Sequence, residues 1–192
     1  MKQLALACVL VGLVLTTPGQ ALDLRQQIQR GQDFFEKGTS FLVVWLQNIN
    51  GSLDRVVATE NKARLRKHLH EMNESIHEVE TAKLAFLERL ALGDYQANND
   101  ISPLIWKILT LRLKVREVAI LLREEYQQGG FECEQLLSEA TYEKKFWIID
   151  LARHPELAKA DPLVLEKGKR AVQSLREASL ELAKLTRRLD EP

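Results

Sequence analysis

A chain of 192 residues in which 27 Lys and Arg balance 27 Asp and Glu carries no net charge to offer a nucleic acid or another polyanion. At 45% hydrophobic and 28% charged it lies in the range of folded proteins and outside that of disordered ones. Its 9 Gly and 5 Pro are few for the turns of a many-stranded fold, so helix is expected.

Residues 1–21 read as a secretory signal peptide cleaved before Leu22. Lys2 supplies the positive start, Leu4 to Leu15 is a nearly unbroken apolar run, and the segment ends in small residues at Gly19 and Ala21. The run is shorter than the ~20 apolar residues of a spanning helix. Removing it takes away one Lys, leaving 26 basic against 27 acidic side chains, and takes away Cys8. Cys133 is then the single thiol, so no internal disulfide framework exists and stability has to come from a core. Cys133 itself is expected as a small buried hydrophobe, with an intermolecular disulfide as the alternative. The predicted location is periplasmic or secreted.

In chain order, Leu24, Ile28, Gly31 and Phe35 suggest a short helix, and Leu42, Leu46, Ile49 and Leu53 begin another. The phase slips near Thr59–Lys62, which predicts either a stutter there or a break near Gly51. Leu65, Leu69, Met72, Ile76, Val79, Lys83, Phe86 and Leu90 then alternate four and three apart, a helical seam with Lys83 as its one polar interruption. A matching seam runs through Ile101, Leu104, Ile108, Leu111, Val115, Val118 and Leu122, with Asp100 or Ser102 as cap and Pro103 in the first turn. The two form an expected antiparallel hairpin of about 52–92 and 101–128, stopped by Gly129–Gly130. A third stripe follows through Cys133, Leu137, Ala140, Lys144, Trp147 and Leu151. A last helix starts at Asp161–Pro162 and carries Ala171, Leu175, Ala178, Leu182, Leu185 and Leu189. The prediction is an all-α fold: one helical-bundle domain over 22–192 with four to five principal helices.

Trp45, Trp106 and Trp147 each sit in a dense apolar cluster. Burial in a multi-helix core is the expected reason, and an exposed surface for a membrane or partner groove the alternative.

His70, Glu74 and His77, with Glu78, share one helical face at i, i+4, i+7 and i+8. Imidazole and carboxylate are zinc and di-iron ligands, and Glu74-x-x-His77 has di-iron spacing. The chain lacks a second Glu-x-x-His, and the segment is not His-Glu-x-x-His. The expected role of this face is a solvated flank of i,i+4 pairs such as Lys67–Glu71 and His70–Glu74, with a metal site on His70, Glu74 and His77 as the alternative. A basic block at Lys62 to His70 adjoins acidic residues from Glu71 to Glu80, again expected as a solvated surface. His154 with Asp150 reads as a structural helix-end pair. Asn50-Gly51-Ser52 and Asn73-Glu74-Ser75 are glycosylation triplets.

No phosphate loop, nucleophile elbow or Cys-x-x-Cys is present, and no catalytic residue or cofactor is assigned. The function expected is a non-catalytic binding module for another macromolecule, a protein and not a nucleic acid, with homodimerisation open. Metal or small-ligand binding at His70, Glu74 and His77, and membrane activity through the Trp clusters, are the alternatives.

Overall fold

The computed structural model describes residues 18–56, 61–92, 102–142 and 162–190. They form α1 (Pro18–Gly51), the single-turn α2 (Leu53–Val56), α3 (Lys62–Leu92), α4 (Ser102–Ala119), α5 (Glu124–Tyr142) and α6 (Pro162–Asp190). The protein is all-α, and among the described residues there is no strand. Five long helices close into a ring: α1 packs on α5, α5 on α4, α4 on α3, α3 on α6, and α6 back on α1. Every helix sends one apolar stripe into one shared core, because that arrangement buries all five stripes at once.

The predicted seams are the buried faces. On α3, every residue of the run from Leu65 to Leu90 is buried, Lys83 included. On α4 the run from Leu104 to Val118 is buried, and Leu122 just beyond it. Cys133, Leu137 and Ala140 on α5, and Ala171 to Leu185 on α6, complete the core. Lys144, Trp147, Leu151, Asp150 and His154 lie outside the described residues, as do residues 1–17 with the start of the expected signal peptide.

Three boundaries differ from the sequence expectation. The front of the chain is one continuous helix across Gly31 and Gly38. Gly38 is tolerated mid-helix because α5 crosses close to it: a Cβ there meets Leu137 and Leu136 at 3.2 and 3.3 Å. Of the two arrangements expected after it, the break occurs, since α1 stops at Gly51 and α3 starts only at Lys62. The first arm of the hairpin is therefore 62–92 and not 52–92.

The second arm, expected over 101–128, ends at Ala119. Ile120 to Leu122 tighten into turns in which Leu121 N donates to Val118 O and Leu122 N to Ala119 O, both at 3.1 Å, and Gln127 Nε2 caps Leu122 O at 2.8 Å. Gly129 and Gly130 do not stop a helix; they lie inside α5. Their missing side chains make room for Trp45, since a Cβ on Gly129 falls 2.6 Å from Trp45 Cδ1 and one on Gly130 falls 2.4 Å from Ala119 Cβ. Trp45 is buried in that notch, and its indole Nε1 donates to Tyr126 O at 3.0 Å.

Candidate functional site

The sequence-predicted ligand face lies on α3 between its two packing flanks. His70 Nε2 is 3.4 Å from Glu74 Oε1, and both side chains are well exposed. His77 turns elsewhere, with Nδ1 3.7 Å from Glu80 Oε2 and Nε2 3.3 Å from Ser179 Oγ of α6. His70, Glu74 and His77 therefore do not gather around one point; they form the i,i+4 and i,i+3 contacts of a helix flank.

The structure instead brings together His68, Glu71 and Glu117. Their ligand atoms lie within 4.8 Å of one another, the one such group of three among the described residues. His68 and Glu71 come from successive turns of α3, and Glu117 from α4. His68 Nδ1 stands 3.5 Å from Glu71 Oε2 and 3.3 Å from Glu117 Oε2, too obliquely to hydrogen-bond to either. A cation already sits between the carboxylates: Lys114 Nζ donates to Glu71 Oε2 at 2.9 Å and to Glu117 Oε2 at 2.8 Å. The hydrogen bond from Lys114, aided by its charge, holds the Glu71 carboxyl below its ordinary value, and Glu117 and Glu71 in turn push Lys114 up. The ligand types suit zinc, but Lys114 supplies the positive charge that a metal would bring. Chemically this is an ion-pair network joining α3 to α4. Sequence reasoning passed over it because Lys114 and Glu117 are 43 and more residues away from Glu71, and only the α3–α4 packing makes them neighbours.

Three charges of the α3 blocks pair across helices in the same way. Glu78 accepts from Lys107 of α4 at 3.1 Å, Glu80 pairs with Arg176 of α6 at 2.6 Å, and Arg66 pairs with Asp190 of α6 at 2.9 Å. The glycosylation triplets are also engaged. Asn50 Nδ2 donates to Glu181 O and Oε2 at 3.0 and 2.7 Å, and Asn73 Oδ1 accepts from Ser179 at 2.7 Å.

Cys133 is fully buried, with Sγ 3.5 Å from Gly38 O, and burial drives its thiol far above the ordinary value. It is the expected core hydrophobe and is not poised as a nucleophile.

Two features remain. One is Lys83, 1% exposed in the core, whose Nζ donates to Gln32 Oε1 at 2.6 Å. The other is the outward face of α4. Trp106, Leu113 and Ile120 are 59%, 48% and 54% exposed and follow one another at intervals of seven, with the half-buried Leu109 beside them. Trp45 and Trp106 thus divide between the two expectations for the tryptophans, one in the core and one on the surface. Among the described residues no helix is long and apolar enough to cross a membrane. The chain matches no family model, no curated protein and no solved structure.

Proposed function

We propose that this protein is a non-catalytic binding module that seats an amphipathic helix of a partner protein along the outward face of α4. The observation that carries the reading is the row Trp106 and Leu113 on the exposed side of α4, whose opposite side is core, and Ile120 in the turn that follows directly, where its N–H still donates to Arg116 O at 3.1 Å: three large exposed apolar side chains at intervals of seven. Residues seven apart on one helix lie on a nearly straight line, which suits a second helix laid alongside. Exposed large apolar groups gathered in one place are a feature of interaction sites. The rim favours no strongly charged partner, because Lys107, Arg112, Lys114 and Arg116 are offset by Glu78, Glu134, Glu71 and Glu117. The titratable groups the fold assembles are ion-paired or buried, which supports a role without chemistry of its own.

The module acts in the periplasm or outside the cell, after removal of residues 1–21. Amino-terminal sequencing of the protein from its own cells is expected to begin at Leu22; a protein that keeps Met1 removes this part of the reading.

The binding reading is tested by a photo-crosslinking side chain placed at Leu113 in the cells that make the protein. The expected product is one discrete adduct with a different protein, mapping to a helix of it and lost in Ile120→Glu. An adduct of two copies of this chain, an adduct with lipid, or none at all overturns it.

A further inference from the structure

Lys83 occupies a seam position of α3 in which its neighbours along the seam, Val79 and Phe86, are core residues. Its Nζ reaches across the ring to α1; the two helices pack mainly on either side of α6, and Lys83 bridges them directly. There it meets the buried amide of Gln32 and lies 5.1 Å from the Phe35 ring centre and 5.4 Å from that of Phe86. No ion pair joins it to a carboxylate among the described residues. Glu181, the other buried charge described, is by contrast held by Lys184 at 2.7 Å and by Asn50.

We propose that Lys83 is an acid-sensitive latch: gaining a proton at Nζ opens the contact between α1 and α3 at Gln32, Phe35 and Phe86 and makes the two aromatic rings accessible. A buried ammonium with one amide oxygen and two ring faces is a costly state, whereas the neutral amine keeps its hydrogen bond to Gln32 and needs no counter-charge. Opening returns the ammonium to water. Among the described residues, the elements around the latch supply no carboxylate to balance it. Asp33 and Glu36 of α1 are committed to Lys167 and Arg170 of α6. Glu80 of α3 is bound to Arg176 of α6, Glu78 holds Lys107 of α4, and Glu139 of α5 is exposed. Away from Lys83, the buried face of α3 from Leu65 to Val79 is apolar except for Ser75, so the opening is local.

Burial pushes the amine down from its ordinary 10.5 to about 7. The open form therefore binds the proton up to about pH 10.5 and the closed form only below about 7. The ratio of open to closed forms then rises roughly tenfold for each pH unit lost between those limits and levels off below the lower one.

Two measurements on the full mature chain test this. In a carbon-13 titration of the lysine Cε resonances, one lysine is expected to turn over near neutrality and to vanish from the spectrum of Lys83→Met. Amide exchange in residues 30–38 and 80–88, corrected for intrinsic rates, is expected to report the tenfold dependence between about pH 9 and 7.5. Amides of Leu69 to Ile76 are expected to lack it. Lys83→Met removes the dependence, and so does Gln32→Glu, which gives the closed form a carboxylate to hold the ammonium. All lysines turning over near 10.5, or a dependence that survives Gln32→Glu, overturns the latch; that second variant decides alone if Lys83→Met does not fold.

Discussion

A methyl group at position 130 has no space: it would lie 2.4 Å from Ala119 Cβ, which is carried directly on the α4 backbone, and 2.8 Å from Trp45 Cζ2. Gly130→Ala must push α5 from α4 or expel the indole, and it is expected to destabilise the protein by about 1–3 kcal/mol. Gly51, at the end of α1, has nothing within 4 Å of such a methyl. Gly51→Ala is expected to be neutral or to stabilise by about 0.5 kcal/mol. Urea denaturation of the two variants side by side checks both. Lys83 acts in the opposite sense, because its retention costs stability. Its folded value, about 7, lies below its ordinary 10.5, so the folded state binds fewer protons between those values and stability rises with pH across that window. The full difference is about 5 kcal/mol, at about 1.4 kcal/mol for each unit. Lys83→Met is expected to recover much of it at pH 7 and to flatten the dependence of the denaturation midpoint on pH between 7 and 10.5.

At the scale of elements, α4 is held by charge on both flanks and by apolar burial beneath. Lys107 and Lys114 reach α3, while Arg112 and Arg116 reach Glu134 of α5 at 3.9 and 3.4 Å. These pairs are partly exposed, so each contributes little to stability and weakens with salt. Their value is in register, since a helix slipped by one turn would separate Glu71 from Lys114. Because Lys114 lowers the Glu71 carboxyl, its contribution is present above the ordinary 4.5 and is lost as pH falls below it. Glu71→Gln is therefore expected to lower the urea midpoint at pH 6, by an amount that shrinks progressively as pH is taken below 4.5, the sign of a stabilisation that requires the carboxylate.

For the whole molecule, the ring buries five apolar stripes and leaves α4 with a second one facing out. Leu113→Glu with Ile120→Glu is expected to keep helix content and melting behaviour, because surface substitutions of this kind change stability by about 0.5 kcal/mol or less. The same pair of changes is expected to abolish the crosslink to a partner. Circular dichroism and the crosslinking experiment separate the two effects, and a protein that unfolds would show that this face belongs to the core.

The all-helical class and the core positions were legible from the chain because both depend on local periodicity. A run of apolar residues four and three apart lines one side of a helix whatever it packs against, and the seams of Leu65 to Leu90 and Leu104 to Leu122 are buried as that rule requires. The end of α4 was less visible. Ile120-Leu121-Leu122 continues the apolar run through the turn, although Glu124 and Glu125 mark the start of α5 with acidic residues where a helix N-terminus favours them. Gly129–Gly130 read as a stop because glycine terminates helices and also admits close neighbours, and the chain does not say which use applies. Trp45, 84 residues away along the chain, decides it. The same holds for the sites. His70, Glu74 and His77 were visible as an i, i+4, i+7 pattern on one helix, while the His68, Glu71, Lys114 and Glu117 network and the reach of Lys83 to Gln32 depend on which helices meet. Sequence by itself determined which side of each helix is apolar; tertiary structure alone decided which charges became partners, since ion pairs and close approaches act only over a few ångströms and the ring order sets those distances.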